Sequence, residues 1–270
     1  MILAIDIGGT KTLLAPIDEN GKVVSEHKFP TPQNYKAFIV ELEKTIVDLA
    51  TDFELTIVAA PGKINVDEGV VVKFGNLPWK NVPLQKDISV VVNTTVIIDN
   101  DANLAGLGEA IHIKPLPKRV LYITFSTGIG SGIITNGVID PEFSDSEAGS
   151  MLFEYEGKLL PWEKFASGRA IVAKYGKRAS DLDDPKAWQE ISKWFALGIV
   201  DLCAVLEPDI VIIGGSVGTY FNKYGKYLNK YAHEIAPKMV TIPPIIGAQK
   251  AEEAVIYGCI ELARQHNEHN

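Results

Sequence analysis

Three apolar runs in this chain break off at glycine turns, and they organise the reading of the rest. Ile2 to Ile5 is apolar, Asp6 interrupts it, Gly8-Gly9-Thr10-Lys11-Thr12 follows, and apolar residues resume at Leu13. The pattern predicts a strand, a polar glycine turn and a strand returning beside the first. Val120 to Phe125 runs likewise into Ser126-Thr-Gly-Ile-Gly-Ser-Gly132 and then Ile133-Ile134. Asp209 to Ile213 runs into Gly214-Gly215-Ser216. Between these runs, Val23-Val24 predicts a third strand, and Thr56 to Ala60 and Thr95 to Ile98 predict buried ones. Helical spacing is carried by Phe38, Ile39, Leu42, Ile46, Leu49 and Ala50 in 34–52, and by Leu104, Leu107, Ala110 and Ile111. Asp184-Pro185 predicts an N-cap and first-turn proline for a helix through Trp188, Ile191, Phe195, Ile199 and Leu202, stopped by Pro208. Val217, Phe221, Tyr224, Leu228, Tyr231 and Ile235 form a stripe of core type on the next helix. A last helix is predicted over about 250–265, with Gln265 to Asn270 as a frayed tail. The stretch from Lys63 to Lys86 reads as irregular.

ILAIDIGGTKTLLA (2–15) and VLYITFSTGIGSGI (120–133) align without a gap at an offset of 118 residues. Each has an apolar run, a polar residue, a Gly/Thr/Ser turn and a return strand. The repeat predicts two similar domains, each offering a hairpin to a shared cleft.

At 270 residues the chain has room for two domains. Its 46 % hydrophobic and 22 % charged residues are ordinary for a globular protein. A net charge of −8 argues against nonspecific binding to nucleic acid or an anionic membrane. No apolar span approaches membrane length, and Asp6 falls where a signal peptide would be apolar, so a cytoplasmic protein is expected. Cys203 and Cys259 sit in apolar helical patterns and read as buried thiols.

The glycine turns carry the candidate chemistry. Backbone N–H groups at Gly8 and Gly9, the Thr10 and Thr12 hydroxyls and the Lys11 ammonium form a phosphate cradle in this reading. Asp6, at the end of a buried strand, is placed to hold magnesium through water. A plain hairpin with a polar turn accounts for the first motif alone equally well. Neither the Walker pattern nor the dinucleotide fingerprint applies, because both need a helix after the loop. Asp101 follows a strand at a helix start, where the dipole favours the carboxylate. Phosphoryl transfer to an alcohol needs such a group to accept the hydroxyl proton. The alternative is that Asp99 or Asp101 is only an N-cap.

Taken in order, DIGGTKT (6–12), IDNDANLAGLGEA (98–110), ITFSTGIGSGIITNG (123–137), EAGSM (147–151), EKFASGRAI (163–171) and EPDIVIIGGSV (207–217) resemble the ROK family of sugar kinases and related repressors. That resemblance implies an α/β, two-domain actin-like ATPase (ribonuclease H-like) fold with a cleft between domains. It implies one domain of 1–104 plus about 250–270 and a second of 105–249. It places phosphate and magnesium contacts on Asp6, Gly8, Gly9, Thr10 and Lys11, further phosphate contacts on Thr127 and Gly128, and Gly214 and Gly215 near adenosine. It matches Asn100 to a sugar ligand, Asp101 to the catalytic base, Asn76 to the sugar-side loop Asn-Leu-Pro-Trp79, and Glu147 and Glu163 to the two sugar-contacting glutamates. Trp79 and Trp162 are expected to be packing residues.

Many relatives have a His after Glu-x-Gly and a cysteine-rich zinc loop. Here Ser150 stands at the His position, and the twelve residues before Glu163 hold no Cys or His, so no zinc is expected. Apolar Met151, Leu152, Phe153 and Leu159 are expected to replace it by packing, and Ser150 joins the substrate-side candidates. The resemblance therefore implies transfer of the γ-phosphoryl group of MgATP to the 6-hydroxyl of a hexose or hexose derivative, by a homodimer. The alternatives are a silent sugar sensor and a kinase using polyphosphate. The family's repressors carry a DNA-binding module ahead of the first phosphate motif. That motif starts at Ile2 here, so a regulator of that kind is not expected.

Overall fold

The computed structural model describes residues 1–49, 52–251 and 253–269. Ala50, at the end of the first expected helix, lies outside them. The chain divides into two compact units, Met1–Gly108 with Ala254–Asn270, and Glu109–Glu253.

In the first unit, β1 (Ile2–Ile7) and β2 (Lys11–Ile17) form the expected hairpin, and β3 (His27–Pro30) extends it. Val23 makes only a single bridge to Ile17, so the third strand starts later than its valines predicted. Helix α1 (Tyr35–Leu49) buries Phe38 and Leu42 and leads to β4 (Leu55–Ala60). All six β4 residues are buried, as a central parallel strand covered on both faces requires. The stretch read as irregular is ordered. It holds β5 (Lys63–Asn65), β6 (Val70–Lys73) and β7 (Lys80–Val82) in a small separate sheet, followed by helix α2 (Leu84–Val92). These strands are three or four residues long, too short to show a period. Next come β8 (Thr95–Asn100) and helix α3 (Asp101–Ala110), which crosses the boundary between units. The main sheet has the order β3-β2-β1-β4-β8, with β1, β4 and β8 parallel.

The second unit repeats that sheet. β9 (Arg119–Phe125), β10 (Ile129–Thr135) and β11 (Val138–Ile139) are antiparallel. A 3-10 turn at Ala148–Ser150 leads to the hairpin of β12 (Leu152–Tyr155) and β13 (Lys158–Pro161). Helices α4 (Glu163–Ala166), α5 (Gly168–Tyr175) and α6 (Pro185–Leu206) follow. Asp184 caps α6 as expected, its carboxylate accepting from Lys186 N–H at 2.9 Å. Then come β14 (Ile210–Gly214), the single turn α7 (Gly215–Gly218), α8 (Phe221–Ile235), β15 (Ile245–Gly247) and α9 (Ala254–His269). The sheet order β11-β10-β9-β14-β15 matches that of the first unit strand for strand. Its core includes Phe125 stacked on Phe195, with ring centroids 3.8 Å apart. The predicted stripe splits here. Val217 belongs to α7, while Tyr224 and Leu228 of α8 are buried and Ile235 is exposed.

The ungapped repeat needs one correction. In the first hairpin Gly8 N–H donates to Lys11 C=O at 2.9 Å, closing a loop of Gly9 and Thr10. In the second, Ser126 N–H donates to Gly128 C=O at 3.0 Å around Thr127 alone. Ile5 pairs with Leu14, but its counterpart Ile123 pairs with Ser131. The leading strands match at the 118-residue offset and the return strands slip by one residue, because the second turn is one residue shorter.

The packing expected of Met151, Leu152, Phe153 and Leu159 is found only in part. Strand alternation turns Phe153 and Tyr155 inward, Tyr155 stacking on Phe165 at 4.5 Å, while Leu152 and Leu159 face solvent. Trp79 and Trp162 are buried, their indole N–H groups donating to Gln33 O at 2.9 Å and Trp194 O at 2.8 Å. Both cysteines are buried. No helix among the described residues is long and apolar enough to cross a membrane.

Helices α3 and α9 approach with backbone against backbone. A Cβ on Gly258 would lie 1.9 Å from Leu104 O, and one on Gly108 would lie 2.1 Å from Ala254 O. Gly258→Ala is therefore expected to cost about 2–4 kcal/mol, since the two backbones must separate. Urea denaturation checks it, and an unchanged midpoint would refute the crossing.

Candidate active site

In the first unit the chemistry gathers at the carboxyl ends of the parallel strands, where open α/β sheets place ligands. Asp6 pairs with Ala59 across β1 and β4, and Ala59 pairs with Asp99 across β4 and β8. Asn100 closes β8 and Asp101 opens α3. Asp99 proves to be an organiser: Oδ1 accepts from Asn100 N–H at 2.6 Å and from Asn103 Nδ2 at 2.9 Å. The Asn100 amide is held at both ends. Nδ2 donates to Gly62 O at 2.9 Å, and Oδ1 accepts from Ala102 N–H at 2.8 Å. One N–H and one lone pair remain for a ligand. Gly62, which carries no motif in the sequence, has φ +101°, and a Cβ there would lie 2.2 Å from Lys73 O. Only glycine fits, and its carbonyl aims Asn100.

Asp6 is half-buried, and its carboxyl is pushed up to about 7. Burial is the main cause, the Asp101 charge adds to it, and the Lys11 ammonium opposes it. A carboxylate in this position is short of positive charge. The pair Asp6 and Asp101 therefore fits a magnesium ion, which takes oxygen ligands and keeps several waters.

Thr10 and Lys11 are exposed at the first hairpin. Thr12 is not part of the cradle. It is fully buried, and its hydroxyl lies 2.9 Å from that of Thr31, which donates to Gly8 O at 2.8 Å. Alternation along β2 turns Lys11 out and Thr12 in. Thr31 thus braces the turn from β3's end, a role with no sequence signal. Thr31→Val is expected to destabilise by about 1–3 kcal/mol, because Gly8 O and the Thr12 hydroxyl lose their buried partner. Urea denaturation measures the loss. Asn76 is exposed and packs on the turn: a Cβ on Gly9 would lie 2.8 Å from Asn76 Cβ.

In the second unit the other candidates surround the β9–β10 turn. A Cβ on Gly128 would lie 2.7 Å from Glu163 Oε2, so that carboxylate rests against the turn. Glu163 Oε1 is 3.7 Å from Lys164 Nζ. Gly149, between Glu147 and Ser150, packs on Ile129 O, and Glu147 and Ser150 are both exposed. Gly168 N–H donates to Ser126 O at 2.7 Å. Gly214 and Gly215 pack against the Tyr122 and Thr124 side chains. The adjoining pocket, about 670 Å³, is walled by the next residues, Ser216 and Val217, with Thr127, Arg169, Arg178 and Tyr220. That volume suits a nucleoside. Arg169 lies within the EKFASGRAI stretch, whereas Arg178 and Tyr220 had no motif to announce them.

A model of the ROK family matches residues 2–266. The chain belongs to the ROK family. The ROK fold, the α/β actin-like ATPase fold, is borne out by solved structures. The ROK glucokinase of Streptomyces griseus, in complex with glucose and AMPPNP, has a TM-score of 0.81 and 24 % identity, covering 98 % of this chain and 99 % of that one. The glucokinase of Streptomyces coelicolor is 26 % identical over 311 aligned residues, covering 98 % of both chains. The N-acetylmannosamine kinase of Vibrio cholerae is 29 % identical, covering 89 % of this chain and 92 % of its own.

Proposed function

We propose that this ROK chain is a phosphotransferase acting on an alcohol group, a sugar kinase that moves the γ-phosphoryl group of ATP to the 6-hydroxyl of a hexose or hexose derivative. The observation that carries the reading is the strand-end cluster of Asp6, Asn100 and Asp101 beside a Gly-Gly-Thr-Lys turn whose Thr10 and Lys11 are exposed. Asp101 accepts the hydroxyl proton as the oxygen attacks phosphorus. Asn100, fixed at both ends, orients the sugar with Asn76, Glu147, Ser150 and Glu163. Carboxylates suit a polyol, whose hydroxyls donate to them. The tips Gly8 to Lys11 and Thr127-Gly128 take the phosphates, and the pocket beside Gly214-Gly215 takes the nucleoside. Magnesium held through water at Asp6 would neutralise charge on the transferring group. The kinases of glucose and of N-acetylmannosamine among the relatives support a hexose-type acceptor.

A coupled ADP-release assay over a panel of hexoses, hexosamines and N-acetyl sugars tests this. Turnover with at least one sugar is expected. ATP binding without turnover on any of them would leave the sensor reading instead. Polyphosphate in place of ATP, in the same assay, tests the donor.

A further inference from the structure

The pocket beside the β9–β10 turn is lined by hydroxyls, small apolar side chains, two arginines and one aromatic ring, Tyr220. Among the described residues, no carboxylate or carboxamide side chain lines it. Among side chains, carboxamides read an adenine edge, and arginines, which this lining has, read a guanine edge. Serine hydroxyls donate or accept as needed and do not discriminate. An aromatic ring binds any base, because every base has a π-face.

Lys223 ties this ring to the rest of the pocket. Its Nζ lies 5.2 Å from the Tyr220 ring centroid, 2.6 Å from Asp183 Oδ1, and donates to Leu182 O at 3.2 Å. Leu182 and Asp183 closely follow the segment Arg178 to Ser180, which forms another wall of the pocket. One ammonium group thus touches both the ring and the residues that follow that wall. The hydrogen bond from Lys223, and after it the Lys223 charge, holds the Asp183 carboxyl below the usual carboxylate range.

We propose that Tyr220 is the stacking platform for the donor's base, that Lys223 is its positioning residue, and that the site accepts guanine as well as adenine nucleoside triphosphates. This rests on the kinase reading above. Calorimetry with AMPPNP, GMPPNP and inorganic tripolyphosphate tests it on the wild type and on Tyr220→Ala, Tyr220→Phe and Lys223→Met. The two nucleotides are expected to bind the wild type within about threefold of each other. Tyr220→Ala should weaken both by at least about tenfold, Tyr220→Phe should not, and Lys223→Met should weaken both several-fold. Tripolyphosphate binding should be unchanged in every variant, a result that general loosening of the fold would not give. A preference above about thirtyfold for one base, or unchanged nucleotide binding in Tyr220→Ala, overturns this proposal and leaves the kinase reading standing. No binding of any of the three probes to the wild type overturns both.

Discussion

Replacing Asp101 by Asn is expected to lower kcat by about 10³-fold while leaving sugar affinity within about threefold. The amide keeps the size of the carboxyl and one accepting oxygen, but takes up no proton at neutral pH. Its surroundings are rigid enough for the comparison to be clean. Asp99 is bonded to Asn100 and Asn103, and Asn100 is bonded to Gly62 and Ala102. Asp101 follows this set as the first residue of α3. Initial rates in the ADP-release assay and sugar binding by calorimetry give the two quantities. Turnover near the wild-type rate would reject Asp101 as the base. Loss of binding together with turnover would make it a sugar ligand alone.

Replacing Asp6 by Asn is expected to raise stability and abolish turnover together. In the metal-free protein the Asp6 carboxyl is pushed from 3.8 to about 7, so the folded state holds this proton more tightly than the unfolded one. Stability from this group is then highest at about pH 4 and below, where both states are protonated. It is lost as pH rises from about 4 to 7, and the full penalty applies above that. At full strength the penalty is about 4 kcal/mol, an upper bound because water reaches the half-exposed rim. Asn carries no charge to bury. Its expected gain is about 1–2 kcal/mol at pH 8 in chelator, shrinking towards about pH 4. Urea denaturation at several pH values measures it. A variant less stable than wild type at pH 8 would show that Asp6 is compensated by contacts other than a cation. Such trade-offs are usual where a charged site is kept for function.

Much of this was legible in the sequence, for physical reasons that vary by element. Long segments with a clear period, such as α6 and the β1–β2 pair, declare themselves because one face must be buried. The small sheet β5-β6-β7 did not, because strands of three or four residues cannot display alternation. The motif residues Asp6, Asn100 and Asp101 do lie together at one end of the sheet. Thr12 was misassigned because a polar residue in a polar turn looks exposed, and only its pairing with Ile7 of β1 fixes its face. Gly62, Thr31 and Tyr220 were invisible for a common reason. Each acts through a group distant in sequence: Asn100 for Gly62, Gly8 for Thr31, and the wall at Arg178 to Ser180 for Tyr220. Nothing local marks them.

The one-residue difference between the two hairpin turns limits how these units can be re-engineered. Their sheets have the same strand order, so grafting one turn onto the other looks harmless. Replacing Thr127 with Gly9-Thr10 is in fact harmless to the register, because the longer turn takes up the added residue and Phe125 still faces Ile129. A splice within the return strand at the fixed 118-residue offset is not: every residue after it would change sides of the sheet, sending buried Ile133 outward. A chimera has to exchange the whole turn, two residues for one, and leave the return strand uncut.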